Sequence, residues 1–129
     1  MPHFLNPSDV QKPASRFSQG VVVAAGARRL LISGQVGARA DGGLAEGLAG
    51  QTEQVFDNLE AVLRAAGMEI RHLVKLVIYC TVPDGSPIVR EIRNRRLGSH
   101  APASTYLQVA GLANASYLVE IEGEAAIEA

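Results

Sequence analysis

The run Leu73-Val74-Lys75-Leu76-Val77-Ile78-Tyr79-Cys80-Thr81-Val82 constrains the fold more than any other stretch of the chain. It is rich in β-branched residues and carries one charge, a pattern suited to a central, well-covered strand. Such a strand needs a sheet beside it and a layer over it, and two segments read as the helices of that layer. Over Gln51 to Ala66, the residues Val55, Leu59, Val62, Leu63 and Ala66 recur at the spacing of one helical face. Glu53, Asp57, Glu60 and Arg64 keep the other side wet, and Gly67 is placed to cap the C-terminus. The turn Pro83-Asp84-Gly85-Ser86-Pro87 opens the second helix, with Ser86 as cap and Pro87 in the first position. Ile88, Val89, Ile92 and Leu97 form its apolar stripe, and Gly98 ends it.

The remaining strands flank these helices. Phe17 to Ala25 and Leu30 to Val36 read as a hairpin through the turn Gly26-Ala27-Arg28-Arg29. Ala101 to Leu112 and Leu118 to Ala125 read as two strands joined by a short loop. Met1 to Arg16 is a polar, proline-punctuated lead-in without a period, and Gly37 to Gly50 is a Gly- and Ala-rich loop. The order is therefore β-β-α-β-α-β-β, an α+β fold with two helices packed on one face of a mixed sheet. At 129 residues the chain, 1–129, makes one domain.

Charge and composition narrow the function classes. Twelve basic residues against 13 acidic ones leave a net charge of −1, so no field favours nucleic acid or an anionic membrane. The aromatic fraction is 5% with no Trp, which leaves no stacking platform for single strands. No leader and no apolar run near about 18 residues is present, so neither secretion nor a membrane span is expected. The single cysteine, Cys80, suits a reducing, cytoplasmic setting and reads as a buried small hydrophobe. His3, His72, His100 and Cys80 lack ligand spacing, so no metal site is expected.

Chemistry concentrates on a few positions. In the last strand Val119 and Ile121 point one way and Glu120 and Glu122 the other, so that two carboxylates share one face. They are either a solvated outer face or a cleft carboxylate poised to hold water or move a proton. In the strand before it, Thr105, Leu107 and Val109 oppose Ser104, Tyr106 and Gln108. Gly34, inside a strand, marks either a bulge or a place where a ligand approaches backbone. Arg90, Arg93, Arg95 and Arg96 make the second helix basic, as a solvated face or with one of them turned to an anion.

Taken together, these segments resemble the YjgF/RidA family of reactive-intermediate deaminases, once labelled endoribonuclease L-PSP. The resemblance rests on Phe17-Ser18-Gln19-Gly20, Ile32-Ser33-Gly34-Gln35, Gln51-Thr52 through Asn58-Leu59 to Ala66-Gly67, Val74-Lys75, Pro102-Ala103 and Val119-Glu120-Ile121-Glu122. It covers nearly the whole chain. It implies a chorismate-mutase-like subunit assembled as a homotrimer, with a ligand cleft at each subunit interface and no metal or organic cofactor. Active members hydrolyse 2-imino acids to the 2-oxo acid and ammonia. By the same resemblance Glu120 holds and activates water, and the backbone at Ser33 and Gly34 contacts a small-molecule ligand in a cleft that also includes Phe17, Arg90, Ser104 and Tyr106.

This chain departs from the family at that cleft. An arginine after Pro-Ala clamps the substrate carboxylate in the family, and here the position is Ser104, within Pro-Ala-Ser-Thr. Phe17 stands for the family's tyrosine, and Arg90 for an asparagine early in the second helix. Losing a bidentate charged contact costs on the order of a hundredfold in affinity. Two resolutions are expected: Arg90 replaces the guanidinium from the helix, or the cleft serves a different, less acidic or larger imine or enamine. The competing class is a regulatory or binding trimer without turnover. A nuclease reading has only the old label behind it.

Overall fold

The computed structural model describes residues 2–128; Met1, the first residue of the lead-in, and Ala129 lie outside the described residues. Its strands are β1 (His3–Leu5), β2 (Gly20–Val22), β3 (Arg28–Val36), β4 (Leu73–Cys80), β5 (Ala103–Gln108) and β6 (Val119–Ile127). The helices are α1 (Gly47–Ala65) and α2 (Ser86–Leu97), with a short 3-10 turn at Ile70–His72. The main sheet runs β3-β6-β4-β5. β4 pairs parallel to β5 and antiparallel to β6, which in turn pairs antiparallel to β3. This is the expected mixed sheet with β4 in its interior, and both helices cover one face.

The core lies between that face and the helices. Leu76, Ile78, Val119 and Ile121 from the strands meet Val55, Phe56, Leu59 and Leu63 of α1 and Val89 of α2, all fully buried. Burying such side chains contributes roughly 1.5–3 kcal/mol each, which makes this layer the main source of stability. Cys80 is also fully buried, as a small hydrophobe should be. α1 starts four residues earlier than its periodicity predicts, and Phe56 joins its buried face. Gly67 caps it with a positive φ of 71°, and the Met68 amide donates to the Leu63 carbonyl.

Five expectations change. The hairpin of Phe17 to Ala25 with Leu30 to Val36 does not form: β2 pairs with β1, and the partner of β3 is β6. The Ala24 amide donates to Glu128 Oε2 at 2.9 Å, so the chain leaves β2 without a ladder to β3. The lead-in therefore holds a strand, β1, and the order gains one strand at its start. β5 ends at Gln108 rather than Leu112, and β4 lies between β5 and β6. Ser86 is not the cap of α2. The Gly85 carbonyl accepts the first helical bond, from Val89, so the helix begins one residue early and Ser86 sits in its first turn. Of the expected α2 stripe, Ile88 is 43% exposed and Arg93 takes a buried place.

Two polar side chains of α1 lock the frame of the site. Gln51 is buried; its Nε2 donates to the Ser116 carbonyl and its Oε1 accepts from the Leu118 amide, fixing the approach to β6. Asn58 Nδ2 donates to the carbonyls of Val36 and Ala38, fixing the exit of β3. No helix among the described residues is long and apolar enough to cross a membrane.

Candidate functional site

The residues singled out from the sequence fall into two groups, one on each face of the main sheet. On the face away from the helices stand Glu120, Ser33 and Gly34. Glu120 lies level with Val36 on β3 and Tyr79 on β4. The register between β3 and β6 shifts between Ile32 and Gln35, so Ser33 and Gly34 form a bulge beside it. Of the two readings of Gly34, a bulge or a place where a ligand approaches backbone, the register shows the bulge, and the group that lies against its backbone is the chain's own Glu120. A Cβ at Gly34 would lie 1.9 Å from Glu120 Oε2, so the carboxylate rests on the glycine backbone. Any side chain there would evict it.

The two carboxylates of this face differ. Glu122 Oε1 accepts from the Tyr79 phenol at 2.6 Å, a bond that, together with slight burial, raises the pKa of that phenol. Glu120 has no hydrogen-bond or ion-pair partner among the described residues. A half-buried carboxylate without a partner on a rigid strand can accept a proton or hold a water.

On the helix side, a cavity of about 280 Å³ lies between α2, β5 and the lead-in. Its walls include Ser15, Phe17, Arg90, Arg93, Ser104 and Tyr106. The end of the lead-in is fastened there by Ser18, two residues beyond it, which pairs with Ala103 and whose amide donates to the Pro102 carbonyl at 3.0 Å. Its hydroxyl donates to the Ala101 carbonyl at 2.5 Å. Tyr106 packs towards the core; burial, with the neighbouring Cys80 thiol, pushes its phenol well above the usual range, so it remains a neutral donor.

Arg90, the expected substitute for the missing guanidinium, is exposed, and its Nη2 donates to Ser86 Oγ at 3.0 Å. The guanidinium that reaches Ser104 belongs to Arg93, which the sequence marks only as one of the four arginines of this helix. Arg93 Nη1 donates to Ser104 Oγ at 3.4 Å and Nη2 to Ser15 Oγ at 2.6 Å. Burial, with Arg90 close by, lowers its pKa. The signal was available: Val89, Arg93 and Leu97 stand four residues apart, which sets Arg93 on the buried stripe. The other arginines of α2 are occupied. Arg95 bonds to Glu53, and Arg96 to Glu53, Asp57 and Glu60. A larger hollow of about 540 Å³ lies beside these pairs, and the Arg95 and Arg96 guanidiniums on its wall are already paired with carboxylates of α1.

Within the chain the sheet separates Glu120 from the cavity, since Tyr106 shares the face of Ile78 and Ile121. Fold and site together describe a class: a small α+β domain with a strand carboxylate, unpaired among the described residues, over a glycine bulge and a basic cavity behind the sheet. The family model described as Endoribonuclease L-PSP matches residues 8–127. The human 2-iminobutanoate/2-iminopropanoate deaminase is 32% identical over 111 residues, 84% of this chain and 78% of its own. The solved structure of YyfB from Yersinia pestis, a Rid-family protein, superposes with a TM-score of 0.87 at 33% identity over 98% of each chain. RidA from Psychrobacter sp. PAMC 21119 gives 0.74 at 33% identity, over 89% of this chain and 91% of its own. The protein belongs to the YjgF/RidA family.

Proposed function

We propose that the protein is a RidA-like hydrolase that deaminates a small imine or enamine in a cleft between subunits of a homotrimer, with Glu120 positioning the water. Glu120 carries the reading: its carboxylate has no partner among the described residues and rests on side-chain-free backbone at Gly34. Water adds to the C=N carbon while Glu120 accepts its proton and passes it to nitrogen, giving a carbinolamine. Glu120 then takes the proton of the new hydroxyl and hands it to the amine as the C–N bond breaks, so that ammonia leaves and the carbonyl product forms. The human relative named for deamination of 2-iminobutanoate and 2-iminopropanoate supports the reaction class. A cleft that uses both Glu120 and the Ser104 cavity needs two copies of the chain, because one protomer keeps them on opposite faces.

The test is imine hydrolysis with semicarbazide trapping of surviving imine, over a panel of 2-imino acids generated by an amino-acid oxidase. Glu120→Gln keeps the shape and removes the base, and turnover is expected to fall roughly a hundred- to ten-thousandfold. Equal turnover by the variant would remove Glu120 from the mechanism. Ser104 and Phe17, where the family has an arginine and a tyrosine, favour a second reading, a trimer that binds a metabolite without turnover. Saturable binding with no hydrolysis of any imine would select it.

A further inference from the structure

Charges buried in proteins are paired, because an unpaired one keeps its full desolvation cost. Arg93 breaks that rule. It is 6% exposed, all its partners are neutral oxygens of Ser15, Ser104 and Asn94, and its buried Nε has none. Among the described residues neither Arg93 nor Arg90 forms an ion pair, although Arg95 and Arg96 on the same helix both do. Among the described residues no acidic side chain lines the cavity. Two guanidiniums three residues apart thus face one small space without a counter-charge.

We propose that this cavity takes a small dicarboxylate: Arg93 and the hydroxyls of Ser15 and Ser104 receive one carboxylate, and Arg90 holds the other at the rim. A planar guanidinium with a free buried N–H suits bidentate capture of a carboxylate. The volume, about 280 Å³, limits the ligand to a small metabolite. A monocarboxylate leaves one cation unanswered. The substrate class that follows is an imine or enamine bearing two carboxylates, and this step rests on the cleft reading above. The guanidinium absent from position 104 is supplied to that same side chain from α2.

Calorimetric titration of the full chain with succinate, propionate and inorganic phosphate tests the proposal without turnover. Succinate is expected to bind at least about tenfold tighter than propionate, with phosphate weaker than succinate. Arg90→Gln should bring succinate down to the affinity of propionate. Ser104→Asp sets a carboxylate beside Arg93 without emptying the cavity. The fold should persist by thermal melting while succinate binding falls about a hundredfold. Three results overturn the proposal: succinate no tighter than propionate, phosphate tighter than succinate, or undiminished succinate binding by Ser104→Asp. Glu120→Gln separates the two readings. Succinate binding retained with hydrolysis lost supports both, and wild type that binds succinate but hydrolyses no imine removes the hydrolase alone.

Discussion

Gly34 and Gly37 stand three residues apart and answer differently to the same added methyl group. At Gly34 the new Cβ meets the far end of a flexible side chain, the Glu120 carboxylate. At Gly37 it meets the Gln51 Cα at 2.7 Å, which is helix backbone. Gly34→Ala should therefore leave the melting temperature nearly unchanged and reduce imine turnover on the order of a hundredfold, by displacing the carboxylate. Gly37→Ala should cost about 1–3 kcal/mol in denaturant unfolding, because α1 must shift. A large loss of stability in Gly34→Ala would mean that the bulge, rather than Glu120, yields. Glu120 and Gly34 were both visible in the sequence, but their contact was not, since it crosses from β6 to β3. Arg93 was visible only as one of several arginines. What distinguishes it is a burial that follows from its phase on α2, and charge alone carries no phase.

The two helices are joined by more than apolar packing. Arg96 lies over the Phe56 ring at 5.7 Å and bonds to Glu53, Asp57 and Glu60. Burial alone would raise the Glu53 pKa, but bonds from Arg95 and Arg96 outweigh it and hold the carboxyl below its ordinary value of 4.5. The folded state then binds the proton less readily than the unfolded one. The resulting stability is fully present above pH about 4.5 and is lost as pH falls through the depressed folded value. Glu53→Gln should flatten the decline of melting temperature over that acid range, and an unchanged slope would assign the acid sensitivity elsewhere. Both helices were legible because the period and the glycines after their C-terminal ends are local signals, while their N-terminal starts were not. Their salt links, like the pairing of β2 with β1, join segments far apart in sequence, and alternation names a strand without naming its neighbour.

At the scale of the molecule, the sheet face opposite the helices carries Leu31, 68% exposed, and Leu107, 44% exposed. Beside them lie Val77 and Tyr79 on the same face of β4. In the proposed homotrimer this face packs against the next subunit, which also brings Glu120 towards another copy's cavity. Light scattering should give the mass of three chains for wild type and a smaller mass for Leu31→Asp, with imine turnover lost in the variant. A trimer undisturbed by Leu31→Asp would place the interface elsewhere. The assembly entered the sequence reading through family resemblance alone, because an interface strand alternates as any half-covered strand does.

The segment from Ser15 to Ser18, where the lead-in ends, is fastened to the edge of β5 through Ser18 and carries Ser15 and Phe17 into the cavity from outside the main ladder. Glu120 and its glycine bulge belong to the ladder itself. If the proposed function holds, reaction and selectivity are thus written on separable parts of the chain. A strap so attached can be rewritten, residue by residue, to admit a new metabolite while the reacting carboxylate stays where the strands hold it.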